Sequence, residues 1–127
     1  MTVKPLEPHF EKPVVVLVDN STIGPSGALA MLLQRQPQVR VVGFEPTRGG
    51  VGISGGNVIM PEEVSVFYTT GRSLDAQGNV QLEADGEGEG GVVPDVLVEM
   101  TEERARFIYQ DGGDVLLEEA LATLATE

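Results

Sequence analysis

The chain has 127 residues, 41% of them hydrophobic and 22% charged, which is the range of one globular domain built around one core. Twenty Asp and Glu against eight Lys and Arg give a formal net charge of −12, a field that repels phosphate backbones and anionic membrane surfaces, so neither nucleic acid nor membrane is an expected partner. The absence of cysteine excludes disulfides, thiolate metal sites and a cysteine nucleophile.

Residues 1–12 read as an N-terminal arm and 13–127 as a single α/β domain. Prolines and charges occupy the arm where a signal peptide needs a continuous apolar segment, and no run elsewhere reaches membrane-spanning length. As written, the chain is expected in the cytoplasm; a piece of a longer exported precursor would read the same. His9, the one histidine, stands in this Pro-flanked arm and reads as a surface residue.

Pro13–Val18 is a continuous β-branched apolar run, the pattern of a central parallel strand buried on both faces. Asp19 to Pro25 forms a turn. Ser26 to Gln36 carries Ala, Leu and Met at helical spacing until Pro37 stops it, with Ser26 or Ser21 available as the cap. Val39–Gly43 reads as the second parallel strand, which makes the first half a right-handed β-α-β crossover. Glu45 to Asn57 reads as a glycine-rich loop. Asn57–Met60 and Glu63–Thr70 are short strand candidates, and Gln81–Glu83 is expected to pair with the latter in a hairpin across the turn Asp75–Asn79.

Ala84 to Gly91 alternates glycine with acid and reads as a surface loop. Its acids suggest calcium, but the fixed ligand geometry and the bidentate Glu of a calcium loop are missing, so no metal or other cofactor is expected. Val92–Val98 reads as a short strand. Thr101 opens a helix with Ala105, Ile108 and Tyr109 as its apolar face, and Gly112-Gly113 breaks it. Asp114 caps a last helix, Val115–Leu124. Its stripe of Leu116, Leu117, Ala120, Leu121 and Leu124 fits core or subunit contact.

A turn leaving a parallel strand for a helix aims free amides and the positive end of the helix dipole at one spot. Gly24-Pro25-Ser26-Gly27-Ala28 occupies that place and is a relaxed form of the G-x-S-x-G elbow. Ser26 is therefore the candidate nucleophile, and the amides near Gly24 and Gly27 are candidate oxyanion donors. The lone histidine precedes the serine, which excludes the chain order of an α/β-hydrolase triad. A small anion held at the helix N-terminus beside Gly49 and Gly50 is a third use of the same geometry.

Several segments together resemble the C-terminal part of the tail-specific (C-terminal processing) serine proteases. The strand Pro13–Asp19, the turn Ser21–Gly27, the helix Ala28–Gln34 and the segment Val41-Val42-Gly43-Phe44-Glu45-Pro46-Thr47 follow that family's order. Gly91-Val92-Val93-Pro94-Asp95-Val96 is similar to its Gly-Val-x-Pro-Asp segment, and Thr101 to Leu124 resembles the region beyond. The resemblance implies an α/β fold related to the ClpP/crotonase-like core: a β-α-β crossover, a β-hairpin and C-terminal helices.

It also implies a serine in the turn and a lysine base, and here the chain departs from the pattern. The serine position falls on Gly24 or Pro25, depending on where the alignment is anchored, and the lysine position on Gly50. A serine hydroxyl without a partnered base is a poor nucleophile. Expected, then, is a truncated, catalytically inactive, protease-like domain acting in binding or assembly, with self-association into a homo-oligomer and a peptide or protein segment as a second partner. The alternative is an active serine peptidase or hydrolase using Ser26.

Overall fold

The structure is a computed structural model that describes residues 7, 10–49, 53–71, 74–79, 81 and 91–126. Its elements run β1 (Val14–Val18), α1 (Pro25–Gln34), β2 (Val39–Gly43), β3 (Ile53–Ile59), β4 (Ser65–Gly71), β5 (Val96–Leu97), α2 (Glu102–Tyr109) and α3 (Val115–Thr126). This is the mixed α/β fold the sequence implies, with a parallel sheet, an antiparallel hairpin and helices at the end.

The sheet has the order β1-β2-β5. β2 pairs in parallel with both neighbours, from Val14↔Val39 to Val18↔Gly43 on one side and through Val42↔Val96 and Gly43↔Leu97 on the other. Among the described residues the first apolar run is thus the edge strand of this sheet, not its centre. The centre is β2, whose Val39, Val41, Val42 and Gly43 are all buried. Because side chains alternate across a sheet, the strands feed two apolar clusters. Val16, Val18 and Val41 meet Ala28, Ala30 and Met31 of α1 together with Val92. Val15, Val42, Phe44, Val96 and Val98 meet Phe107 and Ile108 of α2 and Val115 and Leu116 of α3.

α1 begins one residue earlier than expected, because Pro25 suits the first helical position, where no amide partner is needed. Its cap is Gly24 with φ 60° and ψ −130°, and no side chain caps it. Neither Ser26 nor Ser21 takes that role. Ser21 instead belongs to a turn built on Asp19, whose Oδ1 accepts from the Ser21 amide (2.9 Å) and the Thr22 hydroxyl (3.0 Å).

The hairpin differs in its partner. β4 pairs antiparallel with β3, through Ile59↔Ser65 and Asn57↔Phe67, and not with residue 81; positions 82 and 83 lie outside the described residues, as does 84–90 of the acidic loop. Gly55 and Gly56, expected in a loop, sit inside β3. A Cβ on Gly55 would stand 2.4 Å from Thr70 Cγ2, and one on Gly56 would stand 3.0 Å from the Tyr68 hydroxyl, so the strand needs glycine there. The turn at Asp75–Asn79 forms as expected, with the Asp75 amide bonded to the Asn79 carbonyl at 2.9 Å.

The strand expected over Val92–Val98 is reduced to Val96–Leu97, since Pro94 has no amide to give a ladder. Thr101 caps α2 by accepting from the Arg104 amide (3.2 Å), and Asp114 caps α3 by accepting from the Leu117 amide (3.0 Å). Tyr109 is exposed, and Phe107 packs inward in its place. The α3 stripe divides: Leu116 and Ala120 face the core, whereas Leu117, Leu121 and Leu124 face outward. No described helix is long and apolar enough to cross a membrane.

Candidate functional site

The turn between β1 and α1 ends in a backbone conformation that L-residues avoid. Gly24, with φ 60° and ψ −130°, lies outside the regions open to a residue bearing a Cβ. The space beside it is open: a Cβ there would meet nothing within 4 Å. Ser26, two residues on, stands in the regular helical part of α1 and is exposed. A nucleophile elbow places its serine at the strained position of the strand-to-helix turn; here that position is glycine.

Around Ser26 the described residues offer no hydrogen-bonded base. Asp19, the carboxylate of the turn, is committed to the Ser21 amide and the Thr22 hydroxyl. Lys12 is exposed in the N-terminal arm, and Lys4 and His9 lie outside the described residues. The first turn of α1 carries no acidic side chain, so its amides face the site without a competing charge on the helix itself.

Gly27 is buried and faces the preceding turn and the segment after β2: a Cβ on it would lie 3.7 Å from the Thr22 carbonyl oxygen and 3.9 Å from Thr47 Oγ1. Of the other glycines expected at the site, Gly49 is half-buried just past Thr47, and Gly50 lies outside the described residues.

The residue that organises this region is Thr47, which the sequence reading placed in a motif but gave no role. It is 1% exposed. Its amide donates to the Val92 carbonyl at 3.0 Å, and its Oγ1 accepts from the Val92 amide at 2.8 Å. Gly91, at φ 86°, lies so close that a Cβ would come within 2.1 Å of the Thr47 carbonyl oxygen. The Glu-Pro-Thr and Gly-Val-x-Pro-Asp segments, far apart in sequence, are therefore locked together beside Gly27.

Asp95 completes the lock. Its Oδ2 accepts from the Val41 amide at 2.7 Å, and its Oδ1 accepts from Gln34 Nε2 at 3.1 Å; the same Nε2 also lies 2.9 Å from the Val93 carbonyl oxygen. One carboxylate thus ties the end of α1 to the central strand and to the segment entering β5. The signal for this role was present as the Pro-Asp pair, but its partner amide lies in β2 and was not predictable from spacing.

No group of three or more potential metal ligands occurs among the described residues. The arrangement offers helix amides, a hydroxyl and a tightly held backbone frame, a setting for carbonyl or carboxylate contacts more than for proton transfer.

Comparison with known proteins agrees with these motifs. A search of curated proteins finds no significant sequence match. The fold matches a crystal structure of a provisionally described peptidase from Parabacteroides merdae ATCC 43184 with a TM-score of 0.68 and 25% sequence identity, over 91% of this chain. This chain spans only 32% of that one. The profile of peptidase family S41 matches residues 2–98, the stretch that holds the strand-turn-helix, the Thr47 lock and Asp95. The chain belongs to peptidase family S41, the tail-specific proteases.

Proposed function

We propose that this domain is a non-catalytic member of its family that acts by binding or assembly. The observation that carries this reading is Gly24. An ungapped alignment gives it the place of the family's serine, and it holds the strained conformation of that turn without a side chain to attack a carbonyl. The position matching the family's lysine, Gly50, likewise supplies no base.

The outer side of β1, along which no strand pairs among the described residues, supports a binding role. The Val14 amide bonds to the Gln38 carbonyl, so by strand alternation Val15 and Leu17 direct their backbone groups away from β2. β1 is uncharged and contains no proline or bulge to discourage pairing. An extended peptide segment, or the same strand of a second copy, would gain backbone hydrogen bonds along it without any catalytic residue.

A second reading rests on the exposure of Ser26 beside the α1 amides: hydrolysis with Ser26 as nucleophile. A fluorophosphonate probe separates the two. The expected result is no labelling of the folded protein; labelling that disappears in Ser26→Ala would overturn the non-catalytic reading.

A further inference from the structure

Away from the strand-turn-helix, α2 and α3 enclose a groove of about 1010 Å³, at the upper end of the range of small-ligand sites. Its floor is apolar, formed by Phe107, Val115 and Ala122. Val115 is buried and Ala122 is exposed, so the floor begins in the core and opens to solvent. The walls are acidic. Glu103, Asp111 and Glu118 line the groove and are exposed, and none of them has an ion-pair partner among the described residues.

Both arginines of the lining are already engaged. Arg104 bonds the Glu99 carbonyl at 2.9 Å and Glu119 at 3.3 Å, and Arg106 pairs with Glu102 at 2.6 Å. These free carboxylates, with Glu99 beside them, therefore set the sign of the field above an apolar floor.

We propose that this groove binds a cationic amphipathic peptide segment, its apolar side chains on Phe107, Val115 and Ala122 and its lysines or arginines against Glu103, Asp111 and Glu118. Charge complementarity selects this occupant over a second copy of the chain, which at −12 would bring like charge to the same rim. An apolar face laid in a groove between two helices is a recurrent mode of peptide recognition. The inference does not depend on the state of the serine turn.

The test is fluorescence anisotropy with a labelled amphipathic peptide of leucine and lysine, and a matched peptide with glutamate for lysine. Glu103→Gln/Glu118→Gln removes two rim charges, Ala122→Trp fills the open floor, and Glu62→Gln/Glu63→Gln at the hairpin tip makes the same charge change elsewhere. The expectation is binding of the lysine peptide alone, weakened about tenfold or more by each groove variant and less than about twofold by the hairpin variant. Equal weakening by both double variants would assign the effect to overall charge and overturn the proposal. So would comparable binding of the glutamate peptide, or no binding of the lysine peptide at millimolar concentration. Circular dichroism of each variant confirms that the fold is retained.

Discussion

Two glycines show how differently a positive φ can be held. Gly24 opens into free space, so Gly24→Ala meets no steric neighbour and only the intrinsic cost of a backbone conformation that L-residues avoid, about 1–3 kcal/mol. Gly91 has a similar φ but abuts the Thr47 backbone. There, Gly91→Ala adds displacement of a buried clasp and is expected to cost about 3 kcal/mol or more. Thr47→Val keeps the shape but orphans the buried Val92 amide, with an expected loss of about 1–3 kcal/mol. Urea unfolding of the three variants checks this: Gly24→Ala should be milder than Gly91→Ala, and a Gly91→Ala protein as stable as Gly24→Ala would show that the clasp is not a structural constraint.

At the scale of elements, the turn at Asp75 carries a pH signature. The Asn79 side chain, then the Asn79 amide, with smaller help from the Gln77 and Gly78 amides, hold the Asp75 carboxyl below its usual value. A folded-state pKa that is depressed contributes stability above the unfolded value and loses it as pH falls through the folded one. The bonds to Gln77 and Asn79 should therefore persist through mildly acidic pH and fail only below the ordinary aspartate range. An NMR titration following the Asn79 amide would detect this; a midpoint at or above that of an unstructured aspartate would contradict it.

How far the elements were legible depends on where their determinants lie. β1, α1 and β2 could be read from their own apolar spacing and from prolines, because a strand-helix-strand crossover is encoded locally. The edge position of β1 could not, since nothing within Val14–Val18 states which neighbour it has. The hairpin was misassigned because Ser54-Gly55-Gly56 looks like a loop in isolation. Only the facing Thr70 and Tyr68 side chains explain why glycine is required inside a strand. At the site, the elbow pattern drew attention to Ser26, whereas the backbone strain that defines an elbow fell on Gly24. The α3 stripe was legible as apolar, yet only packing separates Leu116 and Ala120 from the outward Leu117, Leu121 and Leu124.

For the whole molecule, that division bears on assembly. Leu117, Leu121 and Leu124 on α3, and Leu29 and Leu32 on α1, leave apolar side chains in water on the helices that flank the sheet. If the proposed self-association uses α3, Leu117→Gln/Leu121→Gln should shift the protein toward monomer while leaving its melting temperature nearly unchanged, because neither side chain supports the core. Size-exclusion chromatography with light scattering reads the mass directly. A wild-type monomer at micromolar concentration would rule out the assembly role.

The clasp between Thr47 and Val92 also means that the chain leaves the sheet and returns to it at nearly one point. Among the described residues between them, β3 and β4 pack principally against each other, and the Arg35 guanidinium reaches Gln81 Oε1 at 3.1 Å from α1. Such a layout makes the hairpin segment a module that can be exchanged. Joining the two sides of the clasp by a short glycine-serine bridge should leave β1, β2, β5 and the three helices folded, as amide hydrogen exchange in β2 would report. The part of the chain free to diversify would then be the hairpin, with the threonine clasp as its socket.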